Sequence, residues 1–257
     1  MPVFRLTEAL IFPDPEFAEP DGLLAIGGDL SPARLILAYS QGIFPWFSQG
    51  DPILWWSPAP RLVLFPREFH LPKRLRRTMA SRIFSITADT AFAQVIAACA
   101  SASGRREKGT WITREMQQAY CRLHDLGFAH SIECWRDGRL AGGLYGVCLD
   151  GIFFGESMFT RVTDASKLAL VALVEQALRL DLAMIDCQMT TDHLLRFGTR
   201  EVAREVFHAQ LEEHIGSCLP QKKWCLPGTE KEKNGQADTT KKRGTTSTTV
   251  NKQPVKE

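Results

Sequence analysis

Apolar and polar residues alternate through the middle of the chain in a pattern typical of β-strands. The segment AHSIECWRDGRLAGGLYGVCLDGIFFGESMF, residues 129–159, alternates in this way and contains two dipeptides that favour tight hairpins, Asp137-Gly138 and Asp150-Gly151. This pattern predicts three consecutive antiparallel strands. The short apolar segment AMIDCQM, residues 183–189, predicts one further, buried strand.

Capping residues indicate where helices begin and end. Ser31 followed by Pro32 predicts a helix start, and Gly42 predicts its end. A second helix is expected between Thr113 and Gly127. Two more helices are expected from the segments FAQVIAACA, capped by Asp89 or Thr90, and ASKLALVALVEQALRLDL, which starts at Asp164 or Ser166.

The order of these elements predicts the fold class. From residue 85 the order is strand, helix, helix, three strands, helix, strand, and then a short and a terminal helix. This is a mixed α/β (α+β) unit with a mostly antiparallel sheet. The helix after the third hairpin strand leads to a further strand, which can lie parallel to that third strand. The order resembles the fold of the acetyl-CoA-dependent N-acetyltransferases (GNAT type), although a fold alone does not give a function.

Composition divides the chain into three parts. Residues 1–62 are rich in Pro, Gly and aromatic residues and predict a small N-terminal lobe, and residues 63–227 carry the main strand and helix pattern. Residues 228–257 hold almost no apolar side chains beyond Val250 and Val255. Burial cannot offset the ordering entropy of such a segment, so we expect a disordered polar tail.

Overall composition is that of a soluble globular protein, with 44% hydrophobic residues, 23% charged residues and a net charge of +2. No apolar run approaches the ~18 residues of a membrane span, and the amino terminus lacks the apolar region of a secretion signal. The seven cysteines show neither CxxC nor zinc-ligand spacing. We therefore expect free thiols in a cytoplasmic protein that uses no metal and no cofactor.

Three polar residues lie inside stretches that otherwise look apolar and strand-like: Glu156, Asp186 and Gln188. A buried carboxylate needs a partner, a ligand or a reaction, because leaving it unpaired is costly. Asp186 and Gln188 are two apart on a strand, so their side chains should leave the same face and Cys187 the other. There they could orient a nucleophile and accept its proton, or cap a neighbouring helix. Glu156 could hold a cation in a low-dielectric pocket or pair with an internal Arg or Lys.

The other candidate residues are apolar, aromatic or basic. Met158 and Phe159, with leucines of the following helix, could wall a hydrophobic pocket or belong to the core. Trp46 and Trp111 lie among turn residues and could stack on a base. A basic run could hold a phosphate backbone or form a solvated helix surface; it consists of Lys73, Arg74, Arg76, Arg77 and Arg82.

Several long strings resemble the bacterial leucyl/phenylalanyl-tRNA–protein transferases. They are EPDGLLAIGGDLSPARLILAYSQGIFPWFSQGDPILWWSPAPR, GTWITREMQQAYCRLHDLGFAHSIECW, GGLYGV, FFGESMF, ASKLAL and IDCQ, and the resemblance runs from about residue 10 to about residue 215. The resemblance implies transfer of leucine or phenylalanine from aminoacyl-tRNA to proteins that begin with Arg or Lys, which marks them for N-degron proteolysis. It also implies a small N-terminal lobe and an acetyltransferase-like domain.

The resemblance implies a role for each candidate residue. Gln188 would contact the attacking amine and the ester carbonyl, Asp186 would polarise or orient Gln188, and Glu156 would hold the cationic side chain of the acceptor's first residue. The aminoacyl-adenosine would be surrounded by Trp46, Trp111, Leu144, Met158, Leu170 and Ile185. Leu144 stands where well-known relatives carry methionine, a change that conserves volume. The basic run would grip the tRNA acceptor stem without reading its sequence.

Two rival functions follow from the same residues. An acetyl-CoA-dependent N-acetyltransferase would need a glycine-rich loop to hold the pyrophosphate, but the corresponding segment ESMFTRVTDASK has no glycine after Gly155. An RNA-binding module without catalysis would need neither Asp186 nor Gln188. The sequence alone leaves the preference among leucine, phenylalanine and methionine open.

Overall fold

The computed structural model describes residues 3–102 and 110–227. Its strands are β1 (Phe4–Leu6), β2 (Leu23–Gly27), β3 (Phe44–Pro45), β4 (Leu54–Trp56), β5 (Arg61–Leu64), β6 (Ser85–Ala88), β7 (Ala129–Arg136), β8 (Arg139–Leu149), β9 (Ile152–Thr160), β10 (Met184–Gln188) and β11 (Arg200–Val202). Its helices are α1 (Pro32–Ser40), α2 (Lys73–Ala80), α3 (Phe92–Ala100), α4 (Arg114–Asp125), α5 (Ala165–Arg179), α6 (Asp192–Leu195) and α7 (Arg204–His214). The expected disordered tail, residues 228–257, lies outside the described residues.

The strands form two sheets. A four-stranded sheet has the order β1-β2-β4-β3, and a seven-stranded sheet has the order β11-β5-β10-β9-β8-β7-β6. The three antiparallel strands predicted from the hairpin dipeptides are confirmed as β7, β8 and β9. The buried strand after α5 is confirmed as β10, which pairs parallel to β9. The mixed, mostly antiparallel sheet predicted from the order of elements is therefore confirmed.

The large sheet has a hydrophobic core on each face. Neighbouring residues within a strand, such as Phe153 and Phe154, belong to different clusters of buried side chains, because successive side chains point to opposite faces. The first core cluster contains residues of α1, α3, α4 and the small sheet. The second core cluster contains the apolar residues of α5. The seven-stranded sheet is therefore covered by helices on both sides.

The predicted caps of α1 and α4 are confirmed, the predicted cap of α3 is wrong, and α5 begins where expected. The side chains of Ser31 and Thr113 accept hydrogen bonds from the first turns of α1 and α4. At α3, however, the N-cap is Ala91 and no side chain caps the helix. At α5 the helix begins beside Asp164 as expected, but the Asp164 carboxylate bonds Lys167 and Thr78 and caps nothing.

Asp89 does not cap α3 because it has partners elsewhere in the chain. Its carboxylate accepts hydrogen bonds from the ring of His130 at 2.7 Å, from Ser131 N at 2.8 Å and from Trp224 N at 2.6 Å. The ring of Trp224 in turn stacks on His130, with 4.2 Å between ring centroids. This buried carboxylate therefore fastens the C-terminal segment, which has no regular secondary structure, to β7.

Candidate active site

The candidate site lies where two parallel strands part. β9 and β10 are paired only where Ile152–Phe154 lies beside Met184–Asp186, although β9 continues to Thr160. Each strand has a β-bulge next to this point. On β9 the register with β8 shifts around Glu156, and on β10 the register with β5 shifts between Asp186 and Gln188. Bulges of this kind redirect side chains and often lie beside active sites.

A cavity of about 430 Å³ occupies the gap between the two strands. Its walls contain residues of both core clusters, for example Phe44 and Tyr145 from the first and Phe153 and Leu173 from the second. The cavity therefore reaches both faces of the sheet. The site residues expected from the sequence that line it are Trp46, Trp111, Leu144, Glu156, Met158, Leu170, Ile185 and Gln188.

Glu156 is 8% exposed, and its carboxyl group accepts hydrogen bonds from three neutral groups. The hydroxyl of Tyr39 donates to Oε1 at 2.7 Å, the hydroxyl of Tyr120 donates to Oε2 at 3.1 Å, and the Gln188 amide donates to Oε1 at 2.8 Å. Among the described residues no Arg or Lys forms an ion pair with Glu156, so the alternative of an internal ion pair is wrong. Burial raises the pKa of Glu156 to about 7, although the three hydrogen bonds oppose the shift.

The number of protons around Glu156 agrees with this raised pKa. Tyr39 and Tyr120 also contact each other through their hydroxyls, so three oxygen pairs connect the two hydroxyls and the carboxyl group. Two hydroxyl protons cannot satisfy three such contacts, and an ionised carboxylate donates none. When Glu156 is protonated, its carboxyl group can donate to one tyrosine hydroxyl, which is then free to donate to the other, whereas an arriving cation would favour the ionised form.

Asp186 lies behind the cavity wall and contacts no part of the cavity. Its fully buried carboxylate accepts from Arg61 Nε at 2.9 Å, from the second guanidinium nitrogen of Arg61 at 2.8 Å and from Gln188 N at 2.8 Å. The alternative that these strand residues cap a helix is wrong. Cys187 packs against the second core cluster, while Arg61 stacks on Phe44 of the first. The expected placement of Asp186 and Cys187 on opposite faces is therefore confirmed.

The two tryptophans and the basic run lie at the surface of the molecule. Trp46 is 36% exposed, and Trp111 is half-buried; both line the cavity. In α2 the side chain of Leu75 is buried against the second core cluster. The basic residues of the run are exposed and lie outside the cavity lining; they are Lys73, Arg74, Arg76, Arg77 and Arg82.

Sequence reasoning missed several groups that build this site. Tyr39, Tyr120 and Arg61 are buried, and no local sequence pattern indicates that they face the site. Phe44 and His193 also line the cavity without having been expected there.

Within the described residues, no group of three or more His, Cys, Asp or Glu side chains is placed to hold a metal ion. No helix in the described part of the chain has the length and apolarity needed to cross a bilayer.

The fold and the site first define a class: a largely apolar cavity with a few converging polar groups, formed where the parallel strands β9 and β10 part, is the arrangement of a ligand-binding or active site. The chain belongs to the leucyl/phenylalanyl-tRNA protein transferase family, whose family model matches residues 63–212. The model of that family's N-terminal domain matches residues 28–59.

Two individual relatives agree with this assignment. The chain is 56% identical over 224 residues to a leucyl/phenylalanyl-tRNA–protein transferase of Syntrophobacter fumaroxidans, which covers 87% of this chain and 96% of that protein. It is 53% identical over 226 residues to one of Desulfatibacillum aliphaticivorans, covering 88% and 97%. Among solved structures it is similar to a GCN5-related N-acetyltransferase from Kribbella flavida, with 12% identity, a TM-score of 0.34 and coverage of 67% of this chain and 61% of that chain.

Proposed function

We propose that this enzyme transfers leucine or phenylalanine from aminoacyl-tRNA to the α-amine of proteins that begin with Arg or Lys, and so marks them for proteolysis. One observation carries the proposal: the carboxyl group of Glu156 and the amide of Gln188 meet at 2.8 Å in the wall of a largely apolar cavity. Such a site can hold a cation next to a reacting ester.

The apolar part of the cavity suits the side chain of the amino acid that is transferred. Leu170 of α5 and Ile185 of β10 belong to the second core cluster, and Leu144 and Met158 face the same space. These walls are aliphatic and suit a branched aliphatic or an aromatic side chain. Trp46 and Trp111 at the rim offer flat apolar faces on which the terminal adenine could stack.

Glu156 supplies the other half of the site. In the protein without its acceptor, the pKa of Glu156 is raised to about 7 because the group is buried. A guanidinium or ammonium group beside it would favour the ionised carboxylate and form a charge-assisted hydrogen bond. This accounts for a preference for acceptors whose first residue is Arg or Lys, because only those bring a long cationic side chain next to the α-amine.

The chemistry needs little more than positioning. The α-amine, with a pKa of about 7.7–8.0, attacks the ester carbonyl, a new amide bond forms, and the ester C–O bond breaks. The proton lost by the amine ends on the departing ribose oxygen. The Gln188 amide can hydrogen-bond the ester carbonyl and the amine, and holding both reactants together supplies much of the rate enhancement. Neither a covalent enzyme nucleophile nor a cofactor is required.

The exposed basic run of α2 and Arg82 provides a surface for the tRNA acceptor stem. Its side chains are free to contact phosphates, and such contacts position a nucleic acid without reading its sequence. In this proposal residues 63–227 form the catalytic domain, and residues 1–62 form a lobe that contributes Tyr39, Phe44 and Trp46 to the site. A charged tRNA as substrate places the reaction in the cytoplasm.

A transfer assay tests this proposal directly. The protein is incubated with labelled Phe-tRNA and either a peptide that begins with Arg or a matched peptide that begins with Ala. We expect label to appear on the Arg peptide alone. Label on both peptides alike would refute the role of Glu156, and label on neither would refute the transferase.

Binding of coenzyme A distinguishes the proposed transferase from its main rival, an acetyl-CoA-dependent N-acetyltransferase. At the start of α5, where an N-acetyltransferase would hold a pyrophosphate, this chain places the carboxylate of Asp164. We therefore expect no binding of coenzyme A by calorimetry and tight, salt-sensitive binding of Phe-tRNA. Tight binding of coenzyme A would support the acetyltransferase instead.

A further inference from the structure

We propose that Arg61 is a positioning residue for the transfer reaction: through Asp186 it fixes the backbone of Gln188 and so aims the Gln188 amide into the cavity. This inference rests on the function proposed above. It agrees with the orienting role that the resemblance implies for Asp186, whose carboxylate does not face the cavity.

Arg61 is held rigidly in place. It lies at the start of β5, the strand that pairs antiparallel with β10, and its guanidinium forms two hydrogen bonds to the two oxygens of Asp186. The exposed fractions of the two side chains are 1% and 0%. The guanidinium also lies over the rings of Phe44, at 4.9 Å, and Phe207, at 4.7 Å. A planar, bidentate and stacked contact of this kind fixes orientation, which a lysine would not do.

Asp186 passes this constraint on to Gln188. Besides its bonds to Arg61, the Oδ1 atom of Asp186 accepts the Gln188 N–H at 2.8 Å. Gln188 adopts a φ of 62°, in the left-handed region that residues other than glycine rarely occupy. Such a conformation persists only where the surroundings impose it. With the backbone fixed in this way, the Gln188 side chain reaches Glu156.

The geometry also argues against Asp186 as a base. Both of its oxygens are occupied by Arg61, and one of them also by the Gln188 N–H, so no oxygen is directed at the substrates. A buried ion pair is not required for stability, because well-packed apolar residues often serve as well. The pair therefore fits a role in fixing the geometry of the site.

The test removes both charges together, so that no unpaired buried charge prevents folding. The double variant Arg61→Met/Asp186→Leu is compared with a matched control, Arg67→Met/Asp181→Asn, which removes an ion pair whose side chains are 80% and 83% exposed. Asparagine is used because residue 181 has a φ of 52°, which asparagine tolerates and leucine does not. Steady-state kinetics with Phe-tRNA and an Arg peptide give kcat and KM, and circular dichroism and thermal melting check folding.

We expect the double variant to fold and to keep its KM for Phe-tRNA, but to lose on the order of 100-fold in kcat, the effect of a small misplacement of reacting groups. The control should match the wild type. The kcat of Arg61→Lys, which keeps the charge without the planar fork, should lie between those of the double variant and the wild type. A folded double variant with wild-type kcat would overturn the proposal.

Asp186→Asn separates positioning from base catalysis. Asparagine leaves the charge of Arg61 without a charged partner, so folding is checked as for the double variant. It still offers an oxygen to the Gln188 N–H, so the folded variant should retain more activity than the double variant, and its kcat should follow pH as in the wild type. Loss of the pH dependence in Asp186→Asn would show that Asp186 is the base and would overturn the proposal. If the wild type transfers no amino acid, the proposed function itself fails. If the wild type and the double variant are equally active, only the role of Arg61 fails.

Discussion

Replacing Glu156 with glutamine should stabilise the protein above neutral pH while impairing its use of acceptors. Burial raises the pKa of Glu156 from 4.5 to about 7. An acid with a higher pKa in the folded state binds more protons there than in the unfolded chain, so stability falls as the pH rises between these two values. A pKa difference of roughly 2.5 corresponds to about 3 kcal/mol lost by pH 8. Glutamine, which cannot ionise, escapes this loss.

Urea unfolding of both proteins across the pH range measures the effect. The free energy of unfolding of Glu156→Gln minus that of the wild type should grow by about 3 kcal/mol as the pH rises through this window. Taking the difference cancels the titration of all other groups. Glu212→Gln, which changes an exposed carboxylate on α7, serves as control and should give a flat difference. A flat difference for Glu156→Gln as well would refute the raised pKa.

The same variant should be a poorer enzyme. A cationic first residue of the acceptor loses its charged partner, and a hydrogen bond to a charged group contributes about 1.5–3 kcal/mol, so kcat/KM for an Arg peptide should fall roughly 10- to 100-fold. Binding of Phe-tRNA, measured by filter retention, should be unchanged. Equal kcat/KM for the two proteins would show that Glu156 does not hold the acceptor.

Three further outcomes are expected. Leu170→Phe narrows the apolar pocket and should lower transfer of phenylalanine relative to leucine by roughly tenfold or more in a competition assay, and an unchanged ratio would contradict the pocket assignment. Arg77→Gln should raise the KM for Phe-tRNA with kcat unchanged and should reduce the slope of log affinity against log salt by about 1; an unaltered slope would remove α2 from the interface. Trp224→Ala removes the buried ring stacked on His130 and should cost about 3–5 kcal/mol in urea unfolding, whereas a loss below about 1 kcal/mol would show that the C-terminal segment is only loosely attached.

The parts of the fold that the sequence predicts correctly are those fixed by nearby residues. Asp137-Gly138 forms its hairpin with both residues at positive φ, which their chemistry favours. Ser31 and Thr113 cap helices because the donors they satisfy lie three residues further along the chain. Strand β11 was not predicted. It has three residues, only one of which is half-buried, so it carries no apolar pattern.

The site was predictable in part, and its supporting groups were not. The family resemblance predicted eight residues that line the cavity, yet Arg61 meets Asp186 across 125 positions and Tyr39 meets Glu156 across 117. Contacts of this kind depend on how strands and helices pack in three dimensions, and no local spacing encodes them. Asp89 is a further example. Its position suggested that it caps α3, but its carboxylate accepts hydrogen bonds from Ser131 and Trp224 instead.

The hydroxyl of Tyr39 reaches Glu156 from α1, within the region matched by the N-terminal domain of the family, whereas Tyr120 and Glu156 lie in the region matched by the main family model. The raised pKa of Glu156, in the proposed acceptor site, thus depends on two segments that different family models match. A chimera that joined residues 1–62 of one relative to the remainder of another would inherit a working acidic group only if its helix brought a phenol to the same place. Grafting experiments on this scaffold should therefore keep both halves from a single parent.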